Sequence, residues 1–406
     1  MSRYVFTHAR AVLPDRTLDD ALVVVEDGRI TDIAPVTPGA VPAGARDLGG
    51  ALLLPGIIDT HSDALEKEQR PRPTVEFEPG FAVRSFEGRV RAAGVTTMHH
   101  AVSYQTNVLK DRTIDRSLAL ATAVGERASA GVGLVDHRLL HRLDARDADA
   151  LDVLKGVLAG LPPTEPPPLV SYEDHTPGQG QYRDLDTYRE TIQRQENLSA
   201  EAADVWVRRR IEERADGIPQ RVRTLAHLGE EAAAGRIRLL AHDVESAAQV
   251  MEVRAAGAAV AEFPTTREAA RAAKDAGMPV VAGAPNVLRG GSHSGNVGAG
   301  ELITEGLVDN LSSDYMPTTL LAAALGLAER GVIPLHTAVA LITSGAARTA
   351  GLTDRGALVP GLRADLIVVT PDGGRPTVRM TLLAEESRDG DDTPVSVARL
   401  LSTTGR

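Results

Sequence analysis

The chain has 406 residues, 43% of them hydrophobic and 24% charged, which is ample apolar material for a core and too much for a disordered or fibrous protein. Its formal net charge of -11 argues against general nucleic-acid binding, and the lack of cysteine excludes disulfides, thiolate zinc sites, iron–sulfur clusters and a cysteine nucleophile. No run reaches the about 18 apolar residues of a membrane helix, and the opening MSRYVFTHARAVL has no long apolar stretch, so a soluble, cytoplasmic protein with no membrane partner is expected.

Residues 1–51 alternate apolar and polar side chains in short runs, and the turn Glu26-Asp27-Gly28-Arg29 after one of them predicts antiparallel β-structure. A second β-like run lies at 364–369, so 1–51 and 355–385 are expected to form one small β-sandwich domain from both chain ends. Between 52 and 354, short apolar runs alternate with segments rich in Ala, Glu and Arg. Strand candidates begin at Leu52, Val95, Gly133, Leu169, Arg238, Ala259, Val280 and Asn310, and such a series predicts a (β/α)8 TIM-type barrel. Helical composition covers 245–256 and 266–276, each stopped by a glycine, Gly257 or Gly277. The proline-rich stretch 161–168 reads as a stiff connector. Residues 183–236, long and charged with the sole tryptophan at Trp206, read as a helical insertion presenting a solvated face. The polar stretch 386–406 is expected to be a mobile tail.

In a parallel α/β barrel, catalytic groups come from the C-terminal ends of strands. The run at Leu52 leads to His61-Ser62-Asp63, where alternation points His61 and Asp63 to the same side. Later runs lead to Asp174-His175, to His242-Asp243 and to Asp314. Imidazoles and carboxylates gathered in this way suit one or two divalent metals with a position left open. One histidine after a strand is more often a hydrogen-bonded structural residue, and only the conjunction points to a metal centre. The block Gly290-Gly291-Ser292-His293-Ser294-Gly295-Asn296 offers backbone amides and hydroxyls to an anion, and Arg289 adds a planar fork. Composition leaves equally open a glycine-rich turn that binds no phosphate. With Lys67, Arg70 and Arg72 after the His-x-Asp motif, metals and a local basic rim could hold an anion on a net-negative body.

The stretch Leu54-Pro55-Gly56-Ile57-Ile58-Asp59-Thr60-His61-Ser62-Asp63, single metal-type residues after later strands and the split β domain resemble the amidohydrolase superfamily. More narrowly, Arg70-Pro71-Arg72-Pro73, the Asp174 to Gln179 run, the Ala261 to Thr266 run, the Gly283 to Asn296 block and Leu311-Ser312-Ser313-Asp314-Tyr315 resemble the α-D-ribose 1-methylphosphonate 5-triphosphate diphosphatases. That family removes pyrophosphate from a ribosyl triphosphate as phosphonates are broken down by the carbon–phosphorus lyase pathway, and the resemblance runs from about residue 20 to 370.

The resemblance implies two divalent metals, zinc first, with manganese, iron or nickel open. It assigns His61 and Asp63 to the first metal, Asp314 to that metal or to proton transfer, and His175 and His242 to the second. The family's bridging carboxylate closes a His-Leu-Arg-Cys-Glu run, which here reads Leu140-His141-Arg142-Leu143-Asp144 and puts Asp144 at the bridge. Aspartate reaches about 1.5 Å less far than glutamate. His137 is expected to be a hydrogen-bonding residue, while His99 and His100 stand where the family has apolar or acidic side chains. The implied reaction is hydrolysis at the phosphorus nearest the sugar, Asp314 taking the water's proton. Lys67, Arg70, Arg72, Gln179, Arg289, Gly290, Gly291, Ser292, His293 and Ser294 would bind the small phosphorylated ribosyl substrate. Two other readings stay open, a C–N bond hydrolase on the same barrel and a metal-free barrel with a binding role. The last predicts ligand positions lost to apolar residues, yet His61, Asp63, His175, His242 and Asp314 are all in place. Oligomeric state stays open as well, a homodimer included.

Overall fold

A computed structural model of the chain describes residues 3–37, 39, 41–106, 112–292, 295–372 and 375–386, so most of the expected tail lies outside the described residues. Strands β1 (Arg3–Val12), β2 (Thr17–Glu26) and β3 (Arg29–Pro35) pair antiparallel. Between β2 and β3, Asp27 takes φ 48° and Gly28 φ 80°, the two left-handed residues a tight hairpin turn needs and the reason Asp-Gly stands there. β4 (Arg46–Asp47) and β5 (Leu52–Pro55) each pair parallel with β1.

The run at Leu52 was expected to open the barrel and instead belongs to the small sheet as β5. Gly56 makes the switch to β6 (Ile57–Ser62): its amide bonds the Asp365 carbonyl at 2.7 Å, and a Cβ there would lie 2.2 Å from the Thr96 hydroxyl. β7 is Val95–Ser103 and β8 is Asp136–Asp144. The strand expected from Gly133 thus starts three residues later, because Glu87 and Arg127 side chains take the backbone amide of Leu134 and carbonyl of Val132. There follow β9 (Leu169–Glu173), β10 (Arg238–His242), β11 (Val260–Glu262), β12 (Val280–Gly283) and β13 (Asn310–Ser312). β6 to β13 form one eight-stranded sheet in chain order with helices between the strands, as the sequence predicts for a (β/α)8 barrel. Finally β14 (Leu366–Thr370) and β15 (Thr377–Leu382) return to the first sheet, a seven-stranded mixed sheet built from both chain ends.

The chain divides into two compact units. One holds the described residues of 1–100, 124–138 and 310–386; Phe6, Val23, Ile30, Leu53, Leu366 and Met380 form a core on its mixed sheet. The other holds those of 101–123 and 139–309, where Val170, Leu239 and Ala261 of the strands pack on Leu154, Leu228 and Val250 of the helices. Within the second unit, residues 183–236 fold as helices Leu185–Gln195, Ala200–Ala215 and Ile218–Ala233, the first two capped by the side chains of Asp184 and Ser199. Tyr188, Ile192 and Val207 give them a small apolar cluster of their own. No helix among the described residues is long and apolar enough to cross a membrane.

Candidate active site

In the first unit, β6 delivers His61 and the chain then turns into Asp63. His61 Nε2 lies 3.6 Å from Asp63 Oδ1, and one atom each from His61, Asp63 and Asp314 fall within 4.8 Å of one another, close enough to share a cation. Backbone bonds fix this arrangement: the Asp63 amide donates to the Asp314 carbonyl at 2.5 Å, and the Asp314 amide to the His61 carbonyl at 3.0 Å. Hydroxyls stitch the same strand pair together, with Thr60 and Ser312 at 2.6 Å and Ser313 and Ser62 at 3.1 Å. Asp314 sits at φ 56°, a left-handed conformation rare for a non-glycine residue and frequent where backbone is held for function. Asp59, fully buried, accepts from the amides of His61 and Ser313, while its second oxygen has no hydrogen-bond partner. Burial pushes its carboxyl up to about 6, despite the opposing bonds from Ser313.

Three further histidines of this unit, His99, His100 and His137, are held in buried hydrogen bonds. His99 Nδ1 donates to the Asp59 carbonyl at 3.1 Å, and burial, aided by the Arg138 charge, pushes its pKa down to about 3. His137 Nε2 lies 2.9 Å from Glu87, and His137 Nδ1 lies 2.9 Å from His100 Nε2. Because Glu87 is held ionised by Arg127, these bonds run as a relay from His100 through His137 to the carboxylate.

In the second unit, alternation along β9 puts Glu173 and His175 on one side, and with His242 from β10 their ligand atoms again gather within 4.8 Å. Burial favours a neutral Glu173, but Arg142, donating at 2.7 and 3.1 Å, holds its pKa below the usual carboxylate range. His242 Nδ1 donates to Glu262 Oε2 at 2.8 Å, and the Ser171 hydroxyl donates to the same oxygen at 2.7 Å. A carboxylate that orients one imidazole nitrogen while the other faces a cation is the usual support of a metal-binding histidine. His175 Nε2 and Asp243 Oδ2 are both buried without a hydrogen bond although only 3.3 Å apart. Two orphaned donor atoms beside an ionised glutamate and an oriented histidine fit a divalent cation. Asp243 at φ 56° and Phe263 at φ 51° repeat the left-handed conformation directly after β10 and β11.

Asp144 is the clear departure from expectation. Both its oxygens accept from Arg214, at 2.6 and 2.9 Å, and among the described residues the carboxylate gathered with His175 and His242 is Glu173. The displaced His141 bonds the Tyr104 hydroxyl at 2.8 Å. Glu173 and Glu262 were the residues missed: each closes a strand, and Glu173 lies two residues before His175, a spacing that already places both on one face.

Among the expected substrate residues, Gln179 donates to the Asp174 carbonyl and lines a pocket of about 270 Å3 with His242, Asp243, Arg146 and Arg221. Lys67, Arg72 and Arg289 are exposed and make no ion pair among the described residues, whereas half-buried Arg70 lies 4.0 Å from Glu76. Arg289 ends the helix Ala284–Arg289, and Gly290 caps it at φ 77°, where a side chain would be strained. Gly291 and Ser292 are half-buried beyond it, while His293 and Ser294 lie outside the described residues.

A (β/α)8 barrel with imidazoles and carboxylates clustered at its strand ends is the framework of a metal-type hydrolase. No sequence-family profile matches the chain. It is 35% identical over 366 residues to the α-D-ribose 1-methylphosphonate 5-triphosphate diphosphatase of Escherichia coli K12, spanning 90% of this chain and 94% of that protein. An imidazolonepropionase of Paracoccus denitrificans is 27% identical over 411 residues, spanning 89% and 92%. In three dimensions the 5-methylcytosine deaminase of Klebsiella pneumoniae matches with a TM-score of 0.61 at 15% identity, over 94% of this chain and 97% of that one. The chain belongs to the amidohydrolase superfamily and, within it, to the family of the α-D-ribose 1-methylphosphonate 5-triphosphate diphosphatase.

Proposed function

We propose that the protein cleaves the phosphoanhydride of a ribosyl 5-triphosphate, α-D-ribose 1-methylphosphonate 5-triphosphate or a close relative, and releases pyrophosphate in phosphonate catabolism. The observation that carries this reading is the 35% identity to the Escherichia coli diphosphatase across 90% of the chain. Charge distribution supports it. Buried Arg142 and Arg214 and half-buried Arg146 are each paired with a carboxylate, whereas Lys67, Arg72 and Arg289 make no ion pair among the described residues. Unpaired cations next to strand-end motifs, in a chain of net charge -11, suit an anionic substrate better than a neutral ring.

In this reading His61, Asp63 and Asp314 hold one divalent ion, and Glu173, His175 and His242 hold another, zinc first among the candidates. Such ions supply Lewis acidity toward phosphoryl oxygens and screen negative charge. Arg142 keeps Glu173 ionised as a ligand, and Glu262 keeps the proton of His242 on Nδ1. A water attacks the phosphorus nearest the sugar: its oxygen forms the new bond, the bond to the bridging oxygen breaks, and pyrophosphate leaves with the electron pair. Asp314 accepts the water's proton. Lys67, Arg70, Arg72, Gln179, Arg289 and the block from Gly290 to Ser294 hold the phosphates. The enzyme is then a cytoplasmic one acting on a small molecule, with no nucleic acid or membrane as partner.

Phosphorus NMR of ribosyl and nucleoside triphosphates, incubated with the metal-loaded protein, tests this. Pyrophosphate and a ribosyl monophosphate ester are the expected products. Orthophosphate release would assign the cleavage to the outer anhydride, and turnover of a cyclic amide with no phosphorus product would make the protein a C–N bond hydrolase.

A further inference from the structure

The helices of residues 183–236 read from sequence as a solvated face, yet Arg214, in the last turn of Ala200–Ala215, is buried and turned toward the strand ends of its unit. It spends its donors on three partners: Asp144 at 2.6 and 2.9 Å, Asp174 at 2.9 Å, and the Thr176 hydroxyl at 2.9 Å. Asp174 and Thr176 are the two neighbours of His175. Thr176 also donates to Asp174 at 2.6 Å, and Arg146 binds Asp174 at 2.8 Å while donating to the Arg214 carbonyl at 2.7 Å. A second, aromatic contact runs from the same insertion to the same histidine. The His175 ring meets Tyr182 edge-on at 6.0 Å, Tyr182 packs on Tyr188 at 4.5 Å, and Tyr188 on Trp206 at 6.1 Å.

We propose that this insertion is a clamp on the cation site and that Arg214 is its positioning residue, fixing the backbone on both sides of His175 so that the imidazole faces Glu173 and His242. The proposal rests on reading Glu173, His175 and His242 as ligands. The geometry needs arginine. A planar guanidinium can meet a carboxylate with two parallel bonds and still offer donors to a second carboxylate and a hydroxyl, whereas an ammonium has three donors and no fixed fork. Its charge also offsets two buried aspartates that would otherwise repel each other across the loops after β8 and β9. The Arg214 side chain bonds Asp144, Asp174 and Thr176 rather than Glu173, His175 or His242, so its effect is on where His175 is held.

Cobalt(II) titration of the full chain, followed by the visible absorption of the bound ion and by fluorescence of the sole tryptophan, tests the clamp. Arg214→Lys and the isosteric Thr176→Val should each fold and each weaken one of the bound cobalt ions, Arg214→Lys by about ten- to a hundredfold, with an altered absorption envelope. Cobalt should change Trp206 emission in the unmodified protein and not in His175→Ala. If Arg214→Lys and Thr176→Val bind cobalt with unchanged affinity and spectrum and differ only in melting temperature, Arg214 is a structural residue and the clamp is wrong. If His175→Ala itself binds cobalt as the unmodified protein does, the ligand reading fails, and the clamp with it.

Discussion

Glu262 and His242 form a buried pair with Oε2 and Nδ1 2.8 Å apart, and Ser171 donates to the same glutamate oxygen. A carboxylate only accepts, so the proton on Nδ1 belongs to the histidine and the lone pair lies on Nε2, toward the side shared with Glu173 and His175. Replacing Glu262 by glutamine keeps the shape and removes the charge that makes the imidazole a strong donor. Glu262→Gln should bind zinc about tenfold or more weakly in a chelator competition. Unchanged zinc affinity in that variant would mean that His242 is not a ligand.

The Asp144 and Glu173 assignments separate cleanly by stoichiometry. Glu173→Gln should lose one tightly bound metal per chain, because the ionised ligand held by Arg142 is gone. Asp144→Asn should retain full metal content at saturation while losing stability. It breaks one arm of a buried ion pair with Arg214, which keeps Asp174 as a partner, so the loss should fall short of the about 3–5 kcal/mol of a buried charge left uncompensated. Full metal content in Glu173→Gln with a loss in Asp144→Asn would restore Asp144 as the bridge.

What the sequence showed and hid follows from the range of each signal. The Asp27-Gly28 turn, the glycine stops and the candidate ligands His61, Asp63, His175, His242 and Asp314 are local patterns, and the structure sets them at turns or at and just after strand ends. Leu52 to Leu54 looked like a barrel strand because full burial on both faces reads the same in a central strand of either sheet; its pairing with β1 and β14, which assigns it to the small sheet, is a long-range fact that the run itself does not carry. The pairing of Asp144 with Arg214 was hidden because the resemblance fixed its alignment but not its partner, and Arg214 comes 70 residues later on a helix that looked solvated. Arg214 shows why a charged helix can mislead: one buried arginine among many exposed ones carries no mark in composition.

The buried histidines set a pH dependence of stability. His141 is fully buried, and burial lowers its pKa from 6.5 to about 4. Above pH 6.5 it is neutral whether folded or unfolded and contributes no slope. Between that value and about 4, the unfolded chain takes up a proton that the folded one refuses, so stability falls as pH falls, by about 1.4 kcal/mol per pH unit. His141→Asn keeps an acceptor for the Tyr104 hydroxyl and removes the titrating ring. Urea unfolding at pH 7, 6 and 5 should therefore show a shallower acid slope in the variant. Parallel slopes would show that His141 is protonated in the folded protein.

Substrate charge gives the sharpest test of the rim. Arg289 is exposed at the end of its helix with no carboxylate partner among the described residues, next to glycines whose backbone can approach an anion closely. If it holds the outer phosphates, Arg289→Ala should weaken a ribosyl triphosphate far more than a diphosphate or a neutral ester, because only the longest chain carries an anion that far from the reacting phosphorus. Losing a charged hydrogen bond costs on the order of 1.5–3 kcal/mol, or about ten- to a hundredfold in kcat/KM. The groups proposed to act at the inner phosphorus are untouched, so the residual reaction should still release pyrophosphate. Equal losses on charged and neutral substrates, measured side by side, would mean that Arg289 supports the local fold, and the choice between phosphoanhydride and C–N bond would then rest on the product analysis.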